Sequence, residues 1–104
     1  MLRLKPNPTF KAPVEIRAAG GEVFKVTFEF KHRTQDALAA FIESAEWRGM
    51  TDAKAIMAIA SGWDGVDGEF GEDALRDLCQ NYHGAASAIV KTYLSELTAA
   101  RLGN

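Results

Sequence analysis

The sequence predicts an α+β domain, with an N-terminal β-hairpin followed by about four α-helices in one small unit. Three observations carry this prediction. Apolar and polar residues alternate at period two through 14–31. From residue 34 onward the apolar spacing changes to i, i+3, i+4, i+7, the mark of amphipathic helices. The 104 residues suit a single domain, and strands followed by helices is a segregated α+β order.

Each element has its own signal. Residues 1–13 hold all three prolines, Pro6, Pro8 and Pro13, and read as an extended arm. In the hairpin, Val14, Ile16 and Ala18 alternate with polar residues, as do Phe24, Val26, Phe28 and Phe30. The two apolar sets share a face only if paired residue numbers sum to an even value. A two-residue turn at 20–21 gives an odd sum, so the register predicts a three-residue loop with a glycine in the left-handed region. Pro13 lacks a donor and places its strand on an edge. Thr34 is suited to cap a first helix carrying Leu38, Phe41, Ile42 and Ala45, which ends near Gly49. Thr51 caps a second, with Ala53, Ile56, Met57 and Ala60 on one stripe. After a glycine-rich joint, Leu75, Leu78, Cys79 and Tyr82 form a third. A break at 83–84 precedes a last helix with Ile89, Val90, Tyr93, Leu94 and Leu97 on one side and a frayed end at 101–104. The helical part spans 34–102. A lone hairpin is marginal in water, so its aromatic face must pack on helices or its edges must pair with another chain. The second route predicts self-assembly.

Bulk composition excludes several classes. A hydrophobic fraction of 47% and a charged fraction of 25% are ordinary for a globular chain. A formal charge of −2 offers no electrostatic footprint for nucleic acid or an anionic membrane. No apolar run approaches the ~20 residues of a membrane span, and the first residues lack the apolar core of a signal peptide. The single Cys79 excludes an internal disulfide and fits a reducing cytoplasm.

The stretch SGWDGVDGEFGEDAL at 61–75 suggests a calcium loop, but its spacing fails. An EF-hand needs side-chain oxygens at its first, third and fifth positions and a bidentate Glu at its twelfth. With Asp67 fifth, the first, third and twelfth places fall on Trp63, Gly65 and Ala74. Starting at Asp64 instead puts Val66 and Gly68 at ligand positions. The stretch therefore reads as a structural loop. Gly62, Gly65 and Gly68 let the chain turn, Trp63, Val66 and Phe70 plug it into the core, and Asp64 and Asp67 are placed for Asx turns. Glu72 and Asp73 suit the first turn of the following helix.

No other constellation supports chemistry. His32 and His83 are the only histidines, and with one cysteine they give no zinc spacing. Cys79 lies on an apolar stripe and reads as a core thiol. Asp64, Asp67, Glu69, Glu72 and Asp73 read as solvated caps more readily than as acid–base pairs. Lys25, Lys31, His32 and Arg33 read as a solvated polar face. No catalytic, metal or cofactor-binding residue is expected. A DNA-binding regulator lacks a basic recognition helix, since the last two helices carry only Arg76, Lys91 and Arg101.

Four segments together, LKPNPTFKAPVEI, FEFKHRT, SGWDGVDGEFGEDAL and NYHGAASAIVKTYLSELTAARLGN, resemble bacteriophage tail assembly chaperones of long, non-contractile, lambda-like tails and related prophages. GWDGVDGEF followed by YHGAA is the most specific part. His83 stands where relatives carry proline, which leaves that helix break less enforced. The resemblance implies a non-catalytic protein of the bacterial host cytoplasm, absent from the finished virion. It implies that the chain binds the tape measure protein, keeps it soluble and helps the major tail tube protein polymerise around it. It also implies rings or spirals of many copies and, in many relatives, a longer frameshifted form. The residues expected to carry self-assembly and partner binding are the hairpin positions Val14, Ile16, Phe24, Val26, Phe28 and Phe30, with Leu38, Phe41 and Ile42 of the first helix. The competing expectation is a structural virion component, such as a head–tail joining or tail terminator protein.

Overall fold

A computed structural model of the chain describes residues 1–98. The frayed end expected at 101–104, with the last residues of the expected helical part, lies outside them. The hairpin consists of β1 (Thr9–Arg17) and β2 (Val23–Lys31). It is followed by α1 (Gln35–Glu43), α2 (Ala45–Gly49), α3 (Asp52–Ile59), β3 (Ala60–Asp64), α4 (Glu72–Asn81) and α5 (Ala85–Thr98). The sheet is antiparallel in the order β1-β2-β3, so β2 is central.

The hairpin register follows from its side-chain pattern. Val14 faces Val26 and Ile16 faces Phe24, the even-sum pairing that puts both apolar sets on one side. The Ala18 N–H donates to the Glu22 carbonyl at 2.8 Å, closing a three-residue loop in which Gly20 and Gly21 have φ of 96° and 98°. The strand starts earlier than expected. Phe10 pairs with Phe30 and Ala12 with Phe28, so residues 9–13 extend the apolar face and the arm shortens to 1–8. Pro13 sits inside β1, which its edge position permits.

The sheet buries its apolar face under the helices. α5 lies on β1, while α3, α4 and α5 pack together. Phe28, Phe30, Ile56, Leu75 and Ile89 are fully buried, each contributing roughly 1.5–3 kcal/mol from area removed from water. Tyr93 is buried among Phe10 and Phe30, with ring centroids 6.1 and 5.3 Å away. Its hydroxyl donates to the Lys31 carbonyl at 2.8 Å and accepts from Arg33 Nη1 at 3.0 Å. Arg33 Nη2 also donates to the Ala58 carbonyl at 3.0 Å, and its guanidinium lies 3.9 Å from the Phe41 ring centroid. Lys31 Nζ donates to the Met57 carbonyl at 3.1 Å. Of the basic residues expected to be solvated, Lys25 is exposed, while Arg33 and the tip of the exposed Lys31 side chain help clamp β2 to α3, α5 and α1.

Two elements differ from the sequence expectation. The first helix is divided at Ser44, which ends α1 and caps α2. Its hydroxyl accepts from the Trp47 N–H at 3.0 Å and donates to the Phe41 carbonyl at 2.7 Å. The second difference is β3. Ala60, expected on a helical stripe, begins a strand that continues through Ser61, Gly62, Trp63 and Asp64. It pairs with β2 through a bulge beside Glu29 and Phe30. Glu29 fastens all three strands by accepting from Thr9 Oγ1 at 3.4 Å and Ser61 Oγ at 3.1 Å. The hairpin is thus not isolated, and its inner edge is occupied within the chain.

Candidate functional site

Among the described residues, the five helices and three strands shape a sizeable concavity at the turn end of the hairpin. Its walls are β1 and β2, the loop after β3, and α4. Ile16, Phe24, Val26, Trp63, Leu78 and Tyr82 provide its apolar lining, while Asp67, Asp77 and Asn81 supply polar groups. The volume, about 470 Å³, is in the range that holds a small ligand or a few side chains.

The glycine-rich stretch builds one wall. Trp63 turns toward the core side of the sheet beside its β2 partner Phe28, with ring centroids 6.0 Å apart. Phe70 meets Trp63 edge-on at 5.3 Å. Trp63 Nε1 donates to the Gly68 carbonyl at 2.8 Å and ties the loop back on itself. Gly65, at φ 100°, brings the loop onto β2, where an added Cβ would stand 3.2 Å from the Lys25 carbonyl oxygen. Gly62 and Gly68 have no positive φ; Gly62 instead belongs to β3. Asp64 and Asp67 are exposed. The Trp63 and Gly65 contacts hold the loop. Phe24 and Tyr82 complete the opposite rim in an edge-on contact at 6.4 Å. Phe24 is 41% exposed despite lying on the apolar face of the hairpin, because it projects into this opening.

The structure divides the nine residues expected to form an assembly surface. Val14, Ile16, Val26, Phe28, Phe30 and Leu38 are buried in the core. Of these, Ile16 and Val26 also line the groove. Phe41 is half-buried between Arg33 and Trp47, whose ring lies 4.7 Å from its own. Phe24 and Ile42 remain as exposed apolar groups. The sequence reading missed the groove because its walls come from three segments far apart in the chain. Its one local signal was the aromatic spacing in GWDGVDGEF.

The acidic residues serve α4 and the rim. Gly71 provides no side-chain cap, and Arg76 instead bridges Glu72 at 3.1 Å and Asp73 at 2.9 Å across the first turn. These exposed pairs are worth little individually. Among the described residues, no group of three or more His, Cys, Asp or Glu side chains gathers to hold a metal ion. Cys79 is half-buried, and burial, followed by the nearby Asp52 carboxylate, raises its thiol pKa above the ordinary value. This favours the unreactive thiol over the nucleophilic thiolate. Among the described residues, no helix is long and apolar enough to cross a membrane. The arrangement is suited to holding an apolar segment against a mixed aliphatic and aromatic lining.

Across residues 1–104 the chain matches a family model described as phage tail assembly chaperone. No curated protein and no solved structure matches it.

Proposed function

Because the chain belongs to the phage tail assembly chaperone family, we propose that it binds and solubilises the tape measure protein and promotes polymerisation of the tail tube protein around it, without catalysis. The observation that carries this reading is the groove between the hairpin turn and α4, with its aromatic and aliphatic lining and polar rim. An amphipathic helix presents apolar side chains at i, i+3, i+4 and i+7, and a shallow apolar groove is a recurrent receptor for that pattern. Many copies acting along one client would provide avidity while each contact stays weak enough to be displaced by tube protein. The chaperone would act in the bacterial cytoplasm and be left out of the finished virion.

Co-expression with the tape measure protein tests the reading. Wild-type chain is expected to bring the client into the soluble fraction in a complex with several copies per client. Phe24→Glu places a charge in the groove mouth without disturbing a buried residue, and is expected to leave the client insoluble. Ile42→Glu, on α1 and away from the groove, is expected to behave as wild type. Loss of capture by the Ile42 variant alone would transfer the client surface to α1. An insoluble client beside unbound wild-type chain would overturn the chaperone reading and favour a structural virion component.

A further inference from the structure

We infer that the N-terminal arm of one copy docks in the groove of a second copy, linking molecules head to tail. The arm, residues 1–8, precedes β1 and leaves its largest apolar side chains in solvent. Leu2 is 89% and Leu4 95% exposed. An isolated exposed leucine needs no explanation, but here two alternate with Arg3 and Lys5. In an extended segment, period two puts Leu2 and Leu4 on one side and both cations on the other. The groove has the complementary character, with an apolar floor containing Trp63 and Leu78 and two carboxylates, Asp67 and Asp77, in its lining. Leu2 and Leu4 would lie on that floor, and Arg3 and Lys5 would face the acids.

Chain direction favours a neighbour over the same chain. The arm leaves the sheet at Thr9, opposite Lys31, whereas the groove opens toward the other end of the hairpin beside Ile16 and Phe24. To fill its own groove the arm would have to reverse at its root and cross a sheet face already covered by α5. A second copy can present its groove without that constraint. Arm and groove are different surfaces, so one-way docking is heterologous and leaves each added copy with a free groove and a free arm. The inference does not depend on the identity of any client. If the groove also receives tape measure segments, the arm is their competitor.

The test compares the intact chain with armless forms and titrates peptides of the arm onto the armless protein. Sedimentation velocity across a concentration series compares the intact chain with a form lacking residues 1–7. Pro8 is retained because its carbonyl accepts from the His32 N–H at 2.9 Å. A peptide of residues 1–8 is then titrated onto the armless form carrying Trp47→Phe, so that emission reports Trp63 alone. The intact chain is expected to associate with rising concentration and the armless form to remain monomeric. The peptide should shift Trp63 emission saturably, and Leu2→Ser with Leu4→Ser should weaken it by more than about tenfold. Asp67→Lys with Asp77→Lys in the armless form should weaken the normal peptide severalfold, and an Arg3→Glu, Lys5→Glu peptide should recover binding to it. Equal association with and without the arm would overturn the inference, as would a peptide that does not bind or is indifferent to the reversals. A monomeric intact chain would overturn it too.

Discussion

At the scale of single residues, Gly65 determines whether the loop wall can close on the sheet. Two independent features restrict it, a φ of 100° and the Lys25 carbonyl oxygen, which would lie 3.2 Å from any Cβ added there. Gly65→Ala must therefore adopt a left-handed conformation against a backbone atom that cannot rotate away. The expected cost is about 1–3 kcal/mol, or roughly 4–8 °C in Tm for each kcal/mol in a domain near this size. Gly68 is the matched control. It lies in the same loop, has no positive φ and would place a Cβ in open space. Gly68→Ala is expected to remain within about 0.5 kcal/mol of wild type. Thermal unfolding of the two variants decides whether backbone geometry or glycine content shapes the loop; equal losses would show that Gly65 has no special role.

At the scale of elements, legibility depended on whether the signal was local. The hairpin register could be read because alternating side chains leave only one parity that buries both strands. Thr34 and Thr51 could be read as caps, and both accept from the N–H three residues on, at Ala37 and Lys54. β3 could not be read, because ASGWD has neither alternation nor β-branched residues and pairs only because β2 offers an open edge and Phe28 a surface for Trp63. The division of the first helix was hidden for another reason. An apolar stripe continues across Ser44, but its hydroxyl bonds both Phe41 and Trp47 and turns one helix into two. Ser44→Ala removes that bridge, and alanine favours a continuous helix. The expected cost is about 1 kcal/mol, with a changed near-ultraviolet circular dichroism signal as Trp47 leaves Phe41. Ser44→Thr keeps a hydroxyl able to cap and should restore most of both. An alanine variant with unchanged stability and spectrum would show that Phe41–Trp47 packing, not the cap, sets the break.

At the scale of the whole molecule, the sheet has a groove at one end and a basic, apolar arm at the other, so a single chain carries both halves of a repeating contact. The candidate site was not legible as a site, since Ile16, Trp63 and Leu78 come together only through the tertiary fold. The arm was legible only as an extended segment, since its prolines report backbone and not destination. The two proposed uses of the groove differ in their physics. Arm docking includes Arg3 and Lys5 beside Asp67 and Asp77 at an exposed rim, where added salt screens attraction; the Debye length is about 10 Å at 0.1 M and 3 Å at 1 M. Capture of an apolar helix is dominated by area removed from water, which salt does not weaken and kosmotropic anions strengthen. Raising sodium chloride from about 0.05 M to 0.5 M should therefore lower self-association severalfold and leave client capture unchanged or improved, because arms vacate the grooves they occupied. Sedimentation velocity and client pull-down, run on the same preparation at both salt concentrations, measure the two responses together. Self-association that strengthens with salt would assign the contact between copies to an apolar surface without the rim acids. Client capture that falls in parallel with self-association would mean that the client is held by the assembled oligomer and not by individual grooves.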